Sequence, residues 1–230
     1  GIIDTKDLYY FLDAVRLLRQ GNAWSDADHQ QMKAWCQAFL DWLRHSPQGQ
    51  AERFAENNHA TCYDLQIVAL AGFCDDAQTL FKTLEYSKLR IAKHFDPTGK
   101  QPQELKRTDT LHYCTFNLQN WTTLAKIAEQ VGVDLWHYTA PKGESLAKAF
   151  EWLLPYYQQP WPYAQNKAFN LERFLPLYYI AFDAYPSLKN RLPLKQLPPI
   201  NDISPHPYTG IPSYWVFAFK DIPLSAAYTD

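Results

Sequence analysis

Two short segments carry most of the chain's chemically versatile side chains. The first, Glu56-Asn57-Asn58-His59-Ala60-Thr61-Cys62-Tyr63-Asp64-Leu65-Gln66, sets His59, Tyr63 and Gln66 at i, i+4 and i+7, which is one face of a helix. In the second, Glu104 to Leu118, Tyr113 and Asn117 share a face with Asn120, and Arg107 lies one or two turns earlier. A histidine and a tyrosine can move protons near neutral pH when their surroundings tune them, and an arginine or asparagine beside them can hold an anion. Burying such rows unpartnered costs about 1–3 kcal/mol for each group. Either the side chains satisfy one another in a core, or a water-filled cleft opens along them.

Metal binding is the weaker reading. His59 with Cys62, or His112 with Cys114, supplies two ligands and stops short of a four-ligand zinc set. A pair of carboxylic acids for hydrolysis would draw on Asp64, Asp75, Asp76 and Glu104, but none stands in a polar row as clear as those of His59 and Tyr113. Asp75-Asp76 is better placed to start a helix, where negative charge suits the dipole.

The elements that must position these residues are helical. Leu8, Phe11, Leu12, Val15 and Leu18 recur at helical steps between 5 and 20, and Gly21 closes the segment. Ser25 with Asp28 begins a helix whose apolar stripe, Met32, Trp35, Phe39, Trp42 and Leu43, continues to about Arg44, and Pro47 with Gly49 is expected to break the chain. A third helix, His59 to Gly72, is apolar nearly all round and is expected to be buried. Further helices are expected over 75–94, 108–131 with Gly132 closing it, 143–158 and 170–184, with a turn at Asp96-Pro97-Thr98-Gly99. Prolines recur from Pro186 onward, which excludes long helices there; Trp215, Phe217 and Phe219 alternate as a short strand would. The chain is therefore expected to be all-α, built of antiparallel helical hairpins. The absence of a fixed-period repeat favours a closed α/α toroid over an open solenoid. The domain expected over 1–185 carries the helices, and a proline-rich irregular tail over 186–230 packs on it.

A net charge of −2 offers no basic field for nucleic acid, so a polyanionic ligand must meet local cations. No apolar run reaches the roughly 20 residues needed to span a bilayer, and no signal peptide is visible in a chain that opens at Gly1. Four cysteines permit disulfides without requiring them. Aromatic residues make up 16% of the chain, and rings such as Trp152, Tyr156, Tyr157, Trp161 and Tyr163 serve helix packing or a sugar platform equally well.

The order of motifs carries a resemblance. Asn57-Asn58-His59 followed by Tyr63-Asp64-x-Gln66, then Glu104-Leu105-x-Arg107-Thr108, Tyr113-x-Thr115-Phe116-Asn117-Leu118 and Val131-Gly132-Val133-Asp134-Leu135-Trp136 together resemble the alginate lyase-like polysaccharide lyases. The similarity runs from Gly1-Ile2-Ile3-Asp4 to Leu154-Pro155-Tyr156 and Trp161-Pro162. Two departures stand out: the family often has Gly where this chain has Ala60, and usually carries a helical stretch before the Gly-Ile-Ile-Asp point, so the toroid is expected to be incomplete. The resemblance implies a periplasmic or secreted enzyme that needs no metal or cofactor, and an acidic polysaccharide partner such as alginate or glucuronan. Its implied catalytic residues are Asn58, His59, Arg107 and Tyr113, with Tyr63, Gln66, Asn117 and Trp161 as substrate-binding candidates.

In the chemistry so implied, β-elimination removes the C5 proton of a uronic acid only when the adjacent carboxylate is hydrogen-bonded or neutralised, a task for Asn58 and His59. Tyr113, activated by Arg107, would act as base and acid when proton and leaving group lie on one face of the sugar, and His59 would be the base when they lie on opposite faces. A non-catalytic carbohydrate-binding or helical scaffold protein, and a glycoside hydrolase on the same toroid, are the alternatives. Oligomeric state is not written in the sequence.

Overall fold

The computed structural model describes residues 2–20, 23–194, 196 and 197. Eight α-helices are present among them: α1 (Leu8–Gln20), α2 (Asp26–His45), α3 (Pro47–Arg53), α4 (Asn58–Phe73), α5 (Ala77–His94), α6 (Thr110–Gln130), α7 (Leu146–Leu153) and α8 (Phe174–Ala184). No strand occurs among the described residues, only an isolated bridge between Asp109 and Gln165. The helices form hairpins in a toroid-like, all-α arrangement centred on α4, which packs against α1, α2, α3, α5 and α6; α6 in turn carries α7 and α8.

The position of α4 follows from its sequence. Leu65, Ile67, Val68, Leu70 and Phe73 leave it no polar face, and every residue from Asn58 to Phe73 is buried except His59. Asn57 caps its start by accepting from the His59 N–H at 3.2 Å. On α5 the start is capped by Asp76, whose Oδ1 accepts from the Thr79 N–H at 3.0 Å, as negative charge at a helix N-terminus predicts. Ser25 likewise caps α2, accepting from the Asp28 N–H.

One expected break proved to be a helix. Pro47 sits at the first helical position of α3, where its fixed φ is already helical and its missing N–H is not needed, and Ser46 caps the Gly49 N–H at 3.0 Å. Gly49 is required by close packing, because a Cβ there would lie 1.9 Å from the Leu43 carbonyl oxygen of α2. The helix expected over 143–158 is shorter: α7 ends at Leu153 and the Pro155 segment continues as a 3-10 turn, Leu154–Tyr157. Similarly, a 3-10 turn (Leu171–Arg173) precedes α8. At the other end of α6, Gly132 adopts φ 78° and lets Val133 bond back to Ala128. Past α8, a 3-10 turn (Pro186–Asn190) packs against that helix; Trp215, Phe217 and Phe219 lie outside the described residues. All four cysteines are free thiols, and no described helix is long and apolar enough to cross a membrane.

Candidate active site

Asn58, His59, Arg107 and Tyr113 line one cleft of about 440 Å³, together with His112, Phe116 and the Ile3–Asp7 segment ahead of α1. Each is brought there by a different local device. His59 is the one residue of α4 not fully buried, and its Nδ1 lies 2.6 Å from Glu52 Oε2. Because a carboxylate only accepts, that contact puts a proton on Nδ1 and leaves Nε2 as the ring nitrogen not engaged by Glu52. Glu52 comes from α3, so the packing of Gly49 against α2 decides where the carboxylate stands.

Asn58 is anchored more deeply. Its backbone N–H donates to Glu104 Oε1 at 2.5 Å, and its amide nitrogen lies 3.0 Å from both Glu104 oxygens. Glu104 is itself buried; burial pushes its carboxyl above the usual carboxylate range, and the Asn58 bonds pull it back. Glu104 does not itself line the cleft.

Arg107 follows the 3-10 turn Glu104–Lys106 and lays its guanidinium over the Tyr113 ring, 3.9 Å from the centroid, a cation–π stack. Arg107 forms no salt bridge among the described residues. Tyr113 stands in the first turn of α6, and that turn is held from 53 to 58 residues downstream. Gln165 Oε1 accepts from the free N–H groups of Leu111 and His112 at 3.0 and 3.4 Å, and Asp109 Oδ1 accepts from Asn166 and Lys167. Next to Tyr113, His112 meets its ring edge-on at 5.1 Å and accepts at Nδ1 from Arg173 at 2.9 Å. Burial, then the Arg173 charge, lowers the His112 pKa, so the imidazole stays neutral with its proton on Nε2.

The remaining sequence candidates lie elsewhere. Gln66 is fully buried, its amide donating to the Ile2 carbonyl at 2.8 Å and its Oε1 accepting from Thr5 at 2.6 Å. Asn117 is equally buried, accepting from Thr61 at 2.7 Å and donating to Gln101 at 2.9 Å. Tyr63 lines a second cleft. Trp161 donates to Thr110 Oγ1 at 2.8 Å and packs edge-on against Tyr156 and Tyr163; it does not line the cleft of His59. Glu104 and His112 enter the sequence reading as candidates only under the weaker hydrolytic and metal alternatives, and Glu52 and Arg173 not at all, since each reads as an ordinary polar side chain until its partner is known. Among the described residues, no group of three His, Cys, Asp or Glu side chains gathers as metal ligands would.

A family model described as alginate lyase matches residues 1–162. The fold is similar to the crystal structure of an alginate lyase from Bacteroides ovatus, with a TM-score of 0.77 and 26% identity over 95% of this chain. The present chain spans 57% of the length of that structure. No curated protein matches the chain.

Proposed function

The chain belongs to the alginate lyase family, and on that premise we propose that it is a polysaccharide lyase cleaving a uronic-acid polymer by β-elimination, with Asn58, His59, Arg107 and Tyr113 as its working residues. The observation that carries the reading is the meeting of these four side chains in one cleft, with the Arg107 guanidinium 3.9 Å above the Tyr113 ring.

In this scheme the substrate carboxylate is held by Arg107 and Asn58. With one amide hydrogen of Asn58 shared between the Glu104 oxygens, the other is left for the substrate. Holding the carboxylate lets it take up charge as the C5 proton departs, so the enolate-like intermediate is stabilised where it forms. When C5 proton and leaving group lie on the same face of the sugar, Tyr113 acts through its phenolate, which takes the C5 proton and then, as the phenol, passes it to the O4 leaving group. The electrons of the C5–H bond become the C4–C5 double bond as the C4–O bond breaks. Arg107 supplies positive charge beside the phenolate. For the opposite stereochemistry, His59 Nε2 takes the C5 proton while Glu52 balances the imidazolium, and Tyr113 protonates the leaving oxygen. A polymer-degrading role places the enzyme in the periplasm or outside the cell.

Incubating the chain with polymannuronate, polyguluronate and glucuronan in turn, and following the ultraviolet absorbance of the new C4–C5 double bond, tests the reading and names the sugar. Elimination on one polymer is expected. Products without the double bond would indicate hydrolysis, and binding without any product a scaffold; either result would overturn the proposal.

A further inference from the structure

Tyr63 points away from the catalytic cleft and into a second one of about 500 Å³, bounded by the ends of α2 and α3 and the outer face of α5. Three cations line it, one from each helix: Arg44, Arg53 and Lys82. Only one carboxylate lines it, Asp64, and that charge is spent inside the protein. Arg90 grips both Asp64 oxygens at 2.6 and 3.1 Å, and Ser87 donates to one of them at 2.8 Å. Neither Arg53 nor Lys82 forms a salt bridge among the described residues, and Arg44 has Asp76 only at 3.9 Å. The Arg53 guanidinium is held by ring faces instead, with its carbon 5.3 Å from the Phe54 centroid and 5.8 Å from that of Tyr86. Such stacking fixes the planar fork while leaving its N–H edges free for a bidentate anion.

In a chain of net charge −2, this is a local positive surface whose remaining lining is mainly polar, with Gln50, Gln78 and Thr83 joined by the His45 imidazole and Ile67 beside the Tyr63 and Tyr86 rings. Carboxylates set among sugar hydroxyls, with apolar ring faces between them, match that lining. We propose that this cleft is a non-catalytic binding site for a carboxylated oligosaccharide, holding a stretch of acidic glycan beside the cleft where the chain is cut. The two clefts are joined through α3, whose Glu52 side chain goes to His59 and whose Arg53 side chain goes to the second cleft. The class of sugar rests on the polyuronate reading above; the charge and lining of the cleft do not.

Amide NMR spectra of the ¹⁵N-labelled Tyr113→Phe chain, which leaves the ligand uncut, resolve the two clefts. Hexasaccharides of the three polyuronates, a carboxyl-reduced hexasaccharide and inorganic phosphate are the probes. An acidic hexasaccharide is expected to shift the Thr79, Thr83 and Tyr86 amides of α5. The carboxyl-reduced sugar should leave them unmoved, and the Arg53→Gln/Lys82→Gln double variant should bind there about tenfold more weakly or worse. Cleavage of a uronate trisaccharide by that double variant, built on the wild-type chain, should be unchanged, which also shows that it folds. Shifts confined to residues around His59 and Tyr113, no shifts at all, or equal shifts with phosphate would each overturn the second site. The lyase reading stands or falls separately, on the appearance of unsaturated product from the wild-type chain.

Discussion

The starts and the middles of α4 and α6 use the same kinds of side chain to opposite ends. At the starts, His59 and Tyr113 are half-buried, each fixed at one edge by a neighbour and open at the other to a common cleft. Further in, Thr61 donates to Asn117 and Asn117 to Gln101, while His94 Nδ1 lies 3.1 Å from Thr61 Oγ1 and accepts from Trp121 Nε1 at 3.3 Å. That inner layer is buried and does not line the cleft, although His94 Nε2 has no hydrogen-bond partner among the described residues. A polar residue on a central helix thus stays open to a ligand when its partners satisfy only part of it, and serves the scaffold when they satisfy the rest. Substitutions in the outer layer should remove turnover and spare stability, and those in the inner layer the reverse.

The largest effect is expected for His59→Ala on a polymer whose C5 proton and leaving group lie on opposite faces, where the rate of unsaturated product should fall by about 10²–10⁴, the range for losing a positioned proton-transfer group, with little change in thermal unfolding. A second substitution, Glu52→Gln, keeps the shape but gives up the charge that sets the imidazole tautomer. A loss of about 10–100-fold in kcat is expected, together with a displaced pH–rate profile; a purely structural role would move the unfolding temperature and leave the profile alone.

Within the inner layer, Asn117→Ala strands Thr61 and Gln101 and should cost about 1–3 kcal/mol for each group left unpaired, lowering the unfolding temperature by several degrees. Acid titration probes the same layer. Burial lowers the His94 pKa to about 3 from about 6.5 in the unfolded chain. The unfolded state therefore binds the extra proton first as pH falls, and this contribution to stability, full above about pH 6.5, is lost progressively towards pH 3. Replacing His94 by Gln should flatten that part of the stability–pH curve, as followed by urea unfolding at several pH values, without changing which polymer is cut.

How much of this was legible in the sequence differs by layer. The bounds of α4 fall within one residue of those expected, because a helix apolar on every side has one place to go. By contrast, α3 was hidden behind Pro47 and Gly49, which break helices in general but here begin one and permit its close packing. The residues proposed to carry the chemistry are visible in the sequence as polar rows; their division between cleft and core is not. Helical spacing puts His59 and Gln66 on one face, yet only the approach of Ile2 and Thr5 shows that Gln66 is consumed by the backbone before α1. Two supports of the site, Glu104 and Gln165, act through partners 46 and 54 residues away, separations at which a single sequence offers no periodic signal, and Glu52 reaches His59 across the break between α3 and α4.

The claim that the outer layer is the site of elimination is tested most directly by Tyr113→Phe, which deletes one oxygen from the cleft and leaves the ring beneath Arg107. Unsaturated product from the polymer cut by the wild-type chain should fall by at least about 10², while the thermal unfolding curve superimposes on that of the parent. Undiminished product from a Tyr113→Phe chain would contradict the account and move the chemistry out of this cleft.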